Sequence, residues 1–480
     1  MSKFFPPASP AGAIPAKPLP EGPFAARSGR KLQPKLGPKS LLEEASEPAA
    51  PQAESPARVV EERPNPVQML GLWFLGVYLI SGFATDLSLH WLGSKPYLST
   101  ISGLIAAAAF VVSGAPTRAL KSKIGRMWLY LTIWMTICIP FSRWPGGTVQ
   151  MLEGYFEKAH CLLFLICALA VTLDGLSWLM YANLAGAFAL LLECAMYGVM
   201  SQGRFTIPTS IAFNGPNDLA LELAVCVGFF TFLIVKKGVV GRILGLGGLA
   251  LAFYFMLRTG SRGSLVACTA MLAVLLLFSH FRMPLLFVSI PLLVIFLALS
   301  SDLRHRLMLI EWDPSEQAAD AADQGSVGSQ FERQELFKTA VRYTVMHPIF
   351  GIGPGQFEDA VWEDAKKEGK HVSSLGPHNS YVQISSECGL PGLFFFAAAL
   401  VLSIRSNYRL YKQTRGDPRL EKIRDLAFCL FASIVVFGVN MIFHHVAYSS
   451  STATLTGLSA ALYLAAQPYL PAQTAPSRPR

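Results

Sequence analysis

Two arginines, Arg258 and Arg262, flank the turn Thr259-Gly260-Ser261 between two apolar runs. Charge at the edge of an apolar run is costly and often marks a site. Two guanidiniums around a Gly-Ser turn suit an anionic ligand. The alternative is that both side chains snorkel to a membrane interface. A second group is Pro377-His378-Asn379-Ser380, followed by Gly389-Leu390-Pro391-Gly392. The ordinary pKa of histidine suits a general base, and Asn379 can hold the imidazole or bind substrate. Glu387 falls about 2.5 helical turns beyond His378 and so off its face; the two are not paired. The run Gly351-Ile352-Gly353-Pro354-Gly355 reads as a tight turn, with a phosphate cradle as the alternative. Glu358-Asp359 and Glu363-Asp364 read as solvated surface. Glu193, Asp218 and Glu222 lie in or near apolar runs and are candidates to line a cavity or pair with an arginine.

These groups need a frame, and the composition says what kind. The 480 residues are 52% hydrophobic and 15% charged, whereas soluble domains carry roughly 25% charged residues. The solvent for most of the chain is therefore lipid. The net charge of +9 lies in short Lys/Arg clusters between apolar runs, the pattern of topology signals, so nucleic acid is not an expected partner. The eight cysteines fall mostly inside apolar runs without CxxC or Cys/His spacing. Neither a disulfide framework nor a metal site is expected.

A bilayer core needs roughly 20 apolar residues in a helix. The runs that qualify are Val67–Ala84, Tyr97–Gly114, Met127–Phe141, Ala159–Leu173, Leu176–Val199, Leu219–Val235, Ile243–Leu257, Ser264–Phe278, Pro284–Ser300, Ile384–Ile404, Leu426–Phe443 and Thr452–Ala466. Gly245, Gly247 and Gly248 suggest close helix packing. The expected organisation is a disordered cytoplasmic tail over 1–65, helices one to nine over 66–300, a periplasmic loop over 301–380, helices ten to twelve over 381–467, and a cytoplasmic tail over 468–480. The Pro-, Ala- and charge-rich tail has no apolar period and no cleavable signal. Within the loop, Ala318–Ser329 reads as a flexible connector, and an amphipathic helix is expected over 329–346, ended by His347-Pro348.

Orientation follows from the positive clusters. With the N-terminus inside, the cytoplasmic loops carry Arg118, Lys121, Lys123 and Arg126, then Lys236, Lys237 and Arg242, then Arg282, then the basic stretch Arg405–Arg424. The opposite loops carry few, among them Arg204, Arg258 and Arg262. The candidate residues thus share the outer face.

Four stretches carry a resemblance. They are the Thr259-Gly260-Ser261-Arg262-Gly263 turn, Arg204 with Phe213-Asn214-Gly215-Pro216-Asn217, the loop run His347–Gly355, and His-Asn-x9-Gly-x-x-Gly from His378 to Gly392. In this order they resemble the O-antigen ligase and Wzy-type polymerase superfamily of bacterial membrane glycosyltransferases, over roughly 67–467. The resemblance implies an all-α GT-C-type fold with about 12 transmembrane helices in the bacterial inner membrane, and an active site on the periplasmic side. It implies an undecaprenyl-diphosphate-linked glycan as donor. The acceptor glycan is a lipid-linked repeat for a polymerase or lipid A-core for a ligase. It implies no cofactor, nucleotide sugar or metal. Arg262 and Arg204 are then expected to stabilise the departing diphosphate, with Arg258, Asn217, Asn379 and Ser261 as substrate contacts. His378 becomes the general base or an orienting group. A transporter or flippase of lipid-linked glycans is the alternative, but no internal repeat supports it.

The topology is testable. Reporter domains active only in the periplasm, fused after Asp323 and after Gly416, should be active at the first site and silent at the second. A silent Asp323 fusion would place the candidate residues on the wrong side.

Overall fold

The computed structural model describes residues 63–85, 87, 91, 97–201, 203–208, 210, 213, 215–236, 238–278, 321–369 and 376–470; for Arg262, Leu265, Cys268, Leu275, Phe278 and residues 321–331 it describes the backbone only. Among the described residues the chain is an all-α membrane protein with one small hairpin. Its helices are α1 Pro66–Phe83, α2 Tyr97–Val112, α3 Lys123–Ile137, α4 Pro145–Tyr155, α5 Cys161–Leu169, α6 Leu173–Tyr197, α7 Pro216–Val235, α8 Val239–Arg258, α9 Arg262–Phe278, α10 Ala321–Met346, α11 Phe357–Lys367, α12 Ser380–Thr414, α13 Glu421–Asn440 and α14 Ser450–Ala466. The strands β1 Val199–Ser201 and β2 Arg204–Thr206 pair antiparallel between α6 and α7.

Six helical stretches are long and apolar enough to cross a membrane: α1, α6, α7, α8, α12 and Pro418–Asn440; α2 is a shorter apolar helix. Each expected apolar run coincides with a helix except Pro284–Ser300, which lies outside the described residues, as does most of the 1–65 tail. The short hairpin and α4 were not among the expected elements.

Packing sorts the helices. Most of α7 and α13 is buried, whereas α1 and α8 bury about a third or less of their windows. Val239, Ile243, Leu244, Leu246 and Leu251 on α8 are exposed, as side chains facing lipid are. The small residues work as expected at two of three positions. A Cβ on Gly248 would sit 2.3 Å from the Phe230 ring, and one on Gly245 would sit 2.8 Å from Ile234, whereas Gly247 faces open space. Close approach of α8 to α7 therefore needs the first two.

The segment between α9 and α12 is partly helical. Helix α10, described from Ala321 onward, covers most of the stretch expected to be a connector. The helix runs through Gly325 and Gly328. It ends at Met346, where His347-Pro348 follows. The turn after it docks on a break in α12. Gly389 has φ +70°, and Pro391 lies just beyond, so the helical hydrogen bonds cannot continue. The freed carbonyls find partners elsewhere. Ile352 N donates to Ser386 O and Gly353 N to Glu387 O, each at 2.9 Å. The Trp134 indole donates to Cys388 O at 2.8 Å. In return Leu390 N donates to Pro348 O at 2.8 Å.

The Glu387 carboxylate, 2% exposed, completes the joint. It accepts from Gly355 N at 3.0 Å, Phe357 N at 3.3 Å and the Tyr448 hydroxyl at 2.5 Å. The amides that a phosphate cradle would need are thus committed to Glu387 and to backbone carbonyls, and the glycine-rich run is a structural turn.

A second clasp lies outside. Arg143 forms a two-pronged pair with Asp364 at 3.0 and 3.1 Å. The Tyr343 hydroxyl donates to the same carboxylate at 2.6 Å. Burial pushes the Asp364 carboxyl up, but the hydrogen bonds from Arg143 and Tyr343 outweigh it and hold the group below its ordinary value.

Replacing Glu387 with Leu strands two amides and a hydroxyl, at about 1–3 kcal/mol for each buried donor left unpaired. Heat-induced unfolding in detergent should shift down markedly, and proteolysis within 347–369 should become fast. Gly389→Ala should behave likewise, because its Cβ would lie 2.0 Å from Ile349 O. Wild-type melting of both variants would refute the joint.

Candidate functional site

The hairpin presents Arg204. Gly203, with φ +69°, turns the chain, and strand alternation sends neighbouring side chains to opposite faces. Phe205 packs inward on Phe255, with ring centroids 5.0 Å apart. Arg204 reaches the other way. Its Nε donates to Thr259 O at 2.8 Å, and its Nη2 donates to Asn217 Oδ1 at 2.6 Å. One guanidinium thus joins the hairpin, the turn after α8 and the N-terminus of α7.

Asn217 passes the connection on. Its backbone carbonyl lies 3.1 Å from His444 Nε2, and Asn440 O lies 3.0 Å from His444 Nδ1. A neutral imidazole donates from one nitrogen only, so these carbonyls compete for one N–H while the ring is neutral. Burial lowers the His444 pKa, and the carbonyl of Asn440, then Asp218 and the Asn217 carbonyl, work against that. The loop bearing His444 is pinned to the start of α12. Ser380 Oγ donates to His444 O at 2.6 Å and accepts from Val446 N at 2.9 Å, while Ser380 N donates to Met441 O at 2.9 Å.

His378 sits at this junction in a left-handed conformation, φ +48°. That is uncommon for a residue with a side chain and tends to persist where the surroundings over-determine it. Its ring meets the His445 ring edge-on, with centroids 5.0 Å apart. Burial lowers the His378 pKa to about 3, assisted by Arg333, His445 and His444. His445 Nε2 in turn lies 4.0 Å from Glu358 Oε1 of α11.

The expected residues separate into groups. Arg204, Asn217 and the Thr259 turn come together through direct bonds, and His378 lies with the histidines of the 441–449 loop. Arg262 opens α9, and its side chain lies outside the described residues. The next residue places the turn: a Cβ on Gly263 would be 2.5 Å from Phe443 Cβ, beside His444. Ser261 is buried, and its Oγ accepts from Ser264 N at 3.5 Å and Ser264 Oγ at 3.2 Å, as a helix cap does. Asn379 is also a cap; its Oδ1 accepts from Tyr381 N and Val382 N, both at 3.0 Å. Arg258 is exposed, with its guanidinium 5.8 Å from the Tyr254 ring centre.

Other residues emerge only in three dimensions: His444, His445, Arg333, Ser380 and Glu358. The adjacent His444-His445 pair in the short loop between α13 and α14 was the available signal. The acidic pairs of α11 need correcting. Asp359 and Glu363 are exposed as expected, but Glu358 and Asp364 are half-buried and engaged, because helical spacing turns them toward the protein. Glu222 accepts from Ser451 at 2.9 Å and lines a cavity of about 410 Å³ with Asn183, Tyr78 and Lys158. Glu193 accepts from Leu87 N at 2.6 Å.

Fold and site define an all-α membrane protein whose polar centre is built from the loops at one end of its helices. Among the described residues no group of His, Cys, Asp and Glu could hold a metal ion. Residues 247–397 match the family model described as O-antigen ligase. The match covers about a third of the chain and bears out the resemblance to the O-antigen ligase and Wzy superfamily. The match contains Arg258, Ser261, Arg262, Arg333, Glu358, His378 and Asn379; Arg204, Asn217, His444 and His445 lie outside it. No curated protein matches the chain. The domain supports a role in polysaccharide assembly of the ligase or polymerase type.

The pKa of His378 has a measurable consequence. The folded value of about 3 lies below the ordinary 6.5, so the folded state resists protonation that the unfolded chain accepts. The stabilisation is fully present above 6.5 and is lost progressively as pH falls toward 3. Melting temperature should therefore drop over that window, and His378→Gln should weaken the drop. Identical acid sensitivity of the two proteins would show that His378 is not held neutral.

Proposed function

We propose that the chain transfers a glycan from an undecaprenyl-diphosphate-linked donor to an acceptor glycan, as a polymerase or ligase of surface polysaccharide. The frame is a GT-C-type bundle of about twelve spans in the bacterial inner membrane, with the 301–380 loop between the ninth and tenth spans and the site on the periplasmic side. The observation that carries this reading is Arg204, bonded to both Thr259 O and Asn217. That contact joins the Arg262-bearing turn to the start of α7, and the Asn217 carbonyl meets the histidine loop at His444; the three are far apart in sequence.

The chemistry follows from charge. As the bond from the anomeric carbon to the diphosphate breaks, negative charge builds on the leaving oxygen. Arg262 and Arg204 stabilise it with planar guanidiniums held in place beforehand. No metal ion or nucleotide is required in this scheme. His378, neutral at physiological pH, meets the acceptor hydroxyl and orients it toward the anomeric carbon. The acceptor is a second lipid-linked repeat or lipid A-core. Ser261 and Asn379 hold the backbone of the site by capping α9 and α12, and Arg258 meets the membrane interface.

Transfer in liposomes, with polyprenyl-diphosphate-linked glycans extracted from the native membrane as donor, tests the reading. Arg262→Ala and Arg262→Lys should each lose transfer by about 100-fold, the scale of one electrostatic contact to a developing oxyanion. Arg409→Ala, from the basic stretch assigned to the cytoplasm, should not. An Arg262→Ala protein as active as wild type at matched levels would remove the proposed role.

A further inference from the structure

The surroundings of His378 leave a chemical problem. General-base catalysis works best when the base titrates near the working pH, and His378 is buried beside Arg333, His444 and His445, all of which disfavour a proton on it. It can touch the acceptor hydroxyl but is a poor final owner of the proton. Its edge-on neighbour His445 differs in three respects. Its Nε2 faces the Glu358 carboxylate at 4.0 Å. Its Nδ1 is buried and has no hydrogen-bond partner among the described residues. Finally, Gly376, two residues before His378, makes room for it: a Cβ there would fall 2.6–2.8 Å from three atoms of the His445 ring.

A carboxylate beside one imidazole nitrogen, with the other nitrogen unpaired, is the arrangement by which a third group orients a base. Building on the glycosyl-transfer reading, we infer that His445, backed by Glu358, is the terminal proton acceptor of the reaction, with His378 as the relay between it and the acceptor hydroxyl. The hydroxyl oxygen forms its bond to the anomeric carbon. The bond from that carbon to the diphosphate breaks, and its electron pair leaves with the diphosphate. The hydroxyl proton passes to one nitrogen of His378, whose other nitrogen releases its proton to Nδ1 of His445 once bound substrate draws the two rings, here 5.0 Å apart at their centroids and not hydrogen-bonded, into reach. The resulting imidazolium carries N–H on both sides, with Nε2–H toward Glu358. After product leaves, the proton returns to water by way of the half-exposed Glu358.

The titratable and charged groups around His445 are Glu358 from α11, His378 from the segment before α12, and its neighbour His444. Arg333 of α10 acts on His378 and His444, and Asp218 of α7 acts on His444. Only Glu358 among them offers negative charge to the His445 ring itself.

The test uses the full chain in liposomes with the same extracted donor glycans, and undecaprenyl diphosphate alone as the binding probe. His445→Ala and the closer mimic His445→Asn should lower kcat by about 100-fold, within the usual range for a lost acid–base group, with binding of the probe within twofold of wild type. Glu358→Gln, on a loop helix, should lower kcat about tenfold and move the acid limb of the pH–rate profile to lower pH; tenfold corresponds to about 1.4 kcal/mol. A wild-type kcat in both His445 variants overturns the relay, as does a loss of probe binding that parallels the loss of rate. An unchanged pH profile in Glu358→Gln overturns it too. Wild-type protein that forms no glycan product defeats the transfer reading itself, whereas an active wild type with indifferent variants defeats only the relay.

Discussion

A helix broken inside a packed bundle must find new partners for the backbone groups it frees, because a buried unpaired carbonyl or amide costs about as much as a lost hydrogen bond. The break at Gly389 imposes that requirement, and much of this end of the helices is arranged to meet it. Carbonyls of Ser386, Glu387 and Cys388 receive Ile352 N, Gly353 N and the Trp134 indole. The Glu387 carboxylate then receives two loop amides and Tyr448. Three separate stretches, the glycine-rich turn, the broken helix and the 441–449 loop, become one rigid joint. Helices α10 and α11 flank that turn, so the joint also fixes where Arg333 and Glu358 stand.

The two glycine-rich motifs are therefore halves of one device. Gly351 has φ +68°, and a Cβ there would overlap the Glu387 carbonyl; Gly389 has φ +70°, and a Cβ there would overlap Ile349 O. Each motif needs glycine because the other occupies the space. In the sequence they look independent, with His-Asn-x9-Gly-x-x-Gly pointing to chemistry and His347–Gly355 to a turn or phosphate cradle. Their shared function is steric.

Apolar periodicity made the helices legible, because lipid demands long apolar runs and little else produces them. Gly245 and Gly248 were legible for the same reason, since small residues in such runs serve packing. The hairpin at 199–206 was not, because three-residue strands carry no period. In the site, Arg204 and Asn217 could be named from motifs, but not the bond between them. His444 and His445 escaped notice because adjacency has no helical or metal-ligand spacing to flag it. Glu358 and Asp364 were read as solvated because a sequence shows charge and not which face of α11 is covered. Asn379 drew attention as a neighbour of the histidine, yet its side-chain oxygen is spent on two amides of α12.

The distribution of charge around the histidines gives the centre its character. Arg333 acts on the His378 and His444 rings, and burial together with that cation keeps His378 neutral. A neutral ring is a better hydrogen-bond acceptor for a hydroxyl than an imidazolium, which has only donors to offer. In the proposed reaction, cationic groups close by also favour a diphosphate over an uncharged leaving group. In the proposed reaction the same cations oppose a proton on the ring assigned to the acceptor. Separating the two requirements resolves the conflict: one histidine stays neutral among the positive groups, and a second, on the side where α11 supplies a carboxylate, can hold the proton. The fold achieves that separation by bringing Arg333 and Glu358 in on different helices of one loop, so the two electrostatic environments stand one imidazole ring apart.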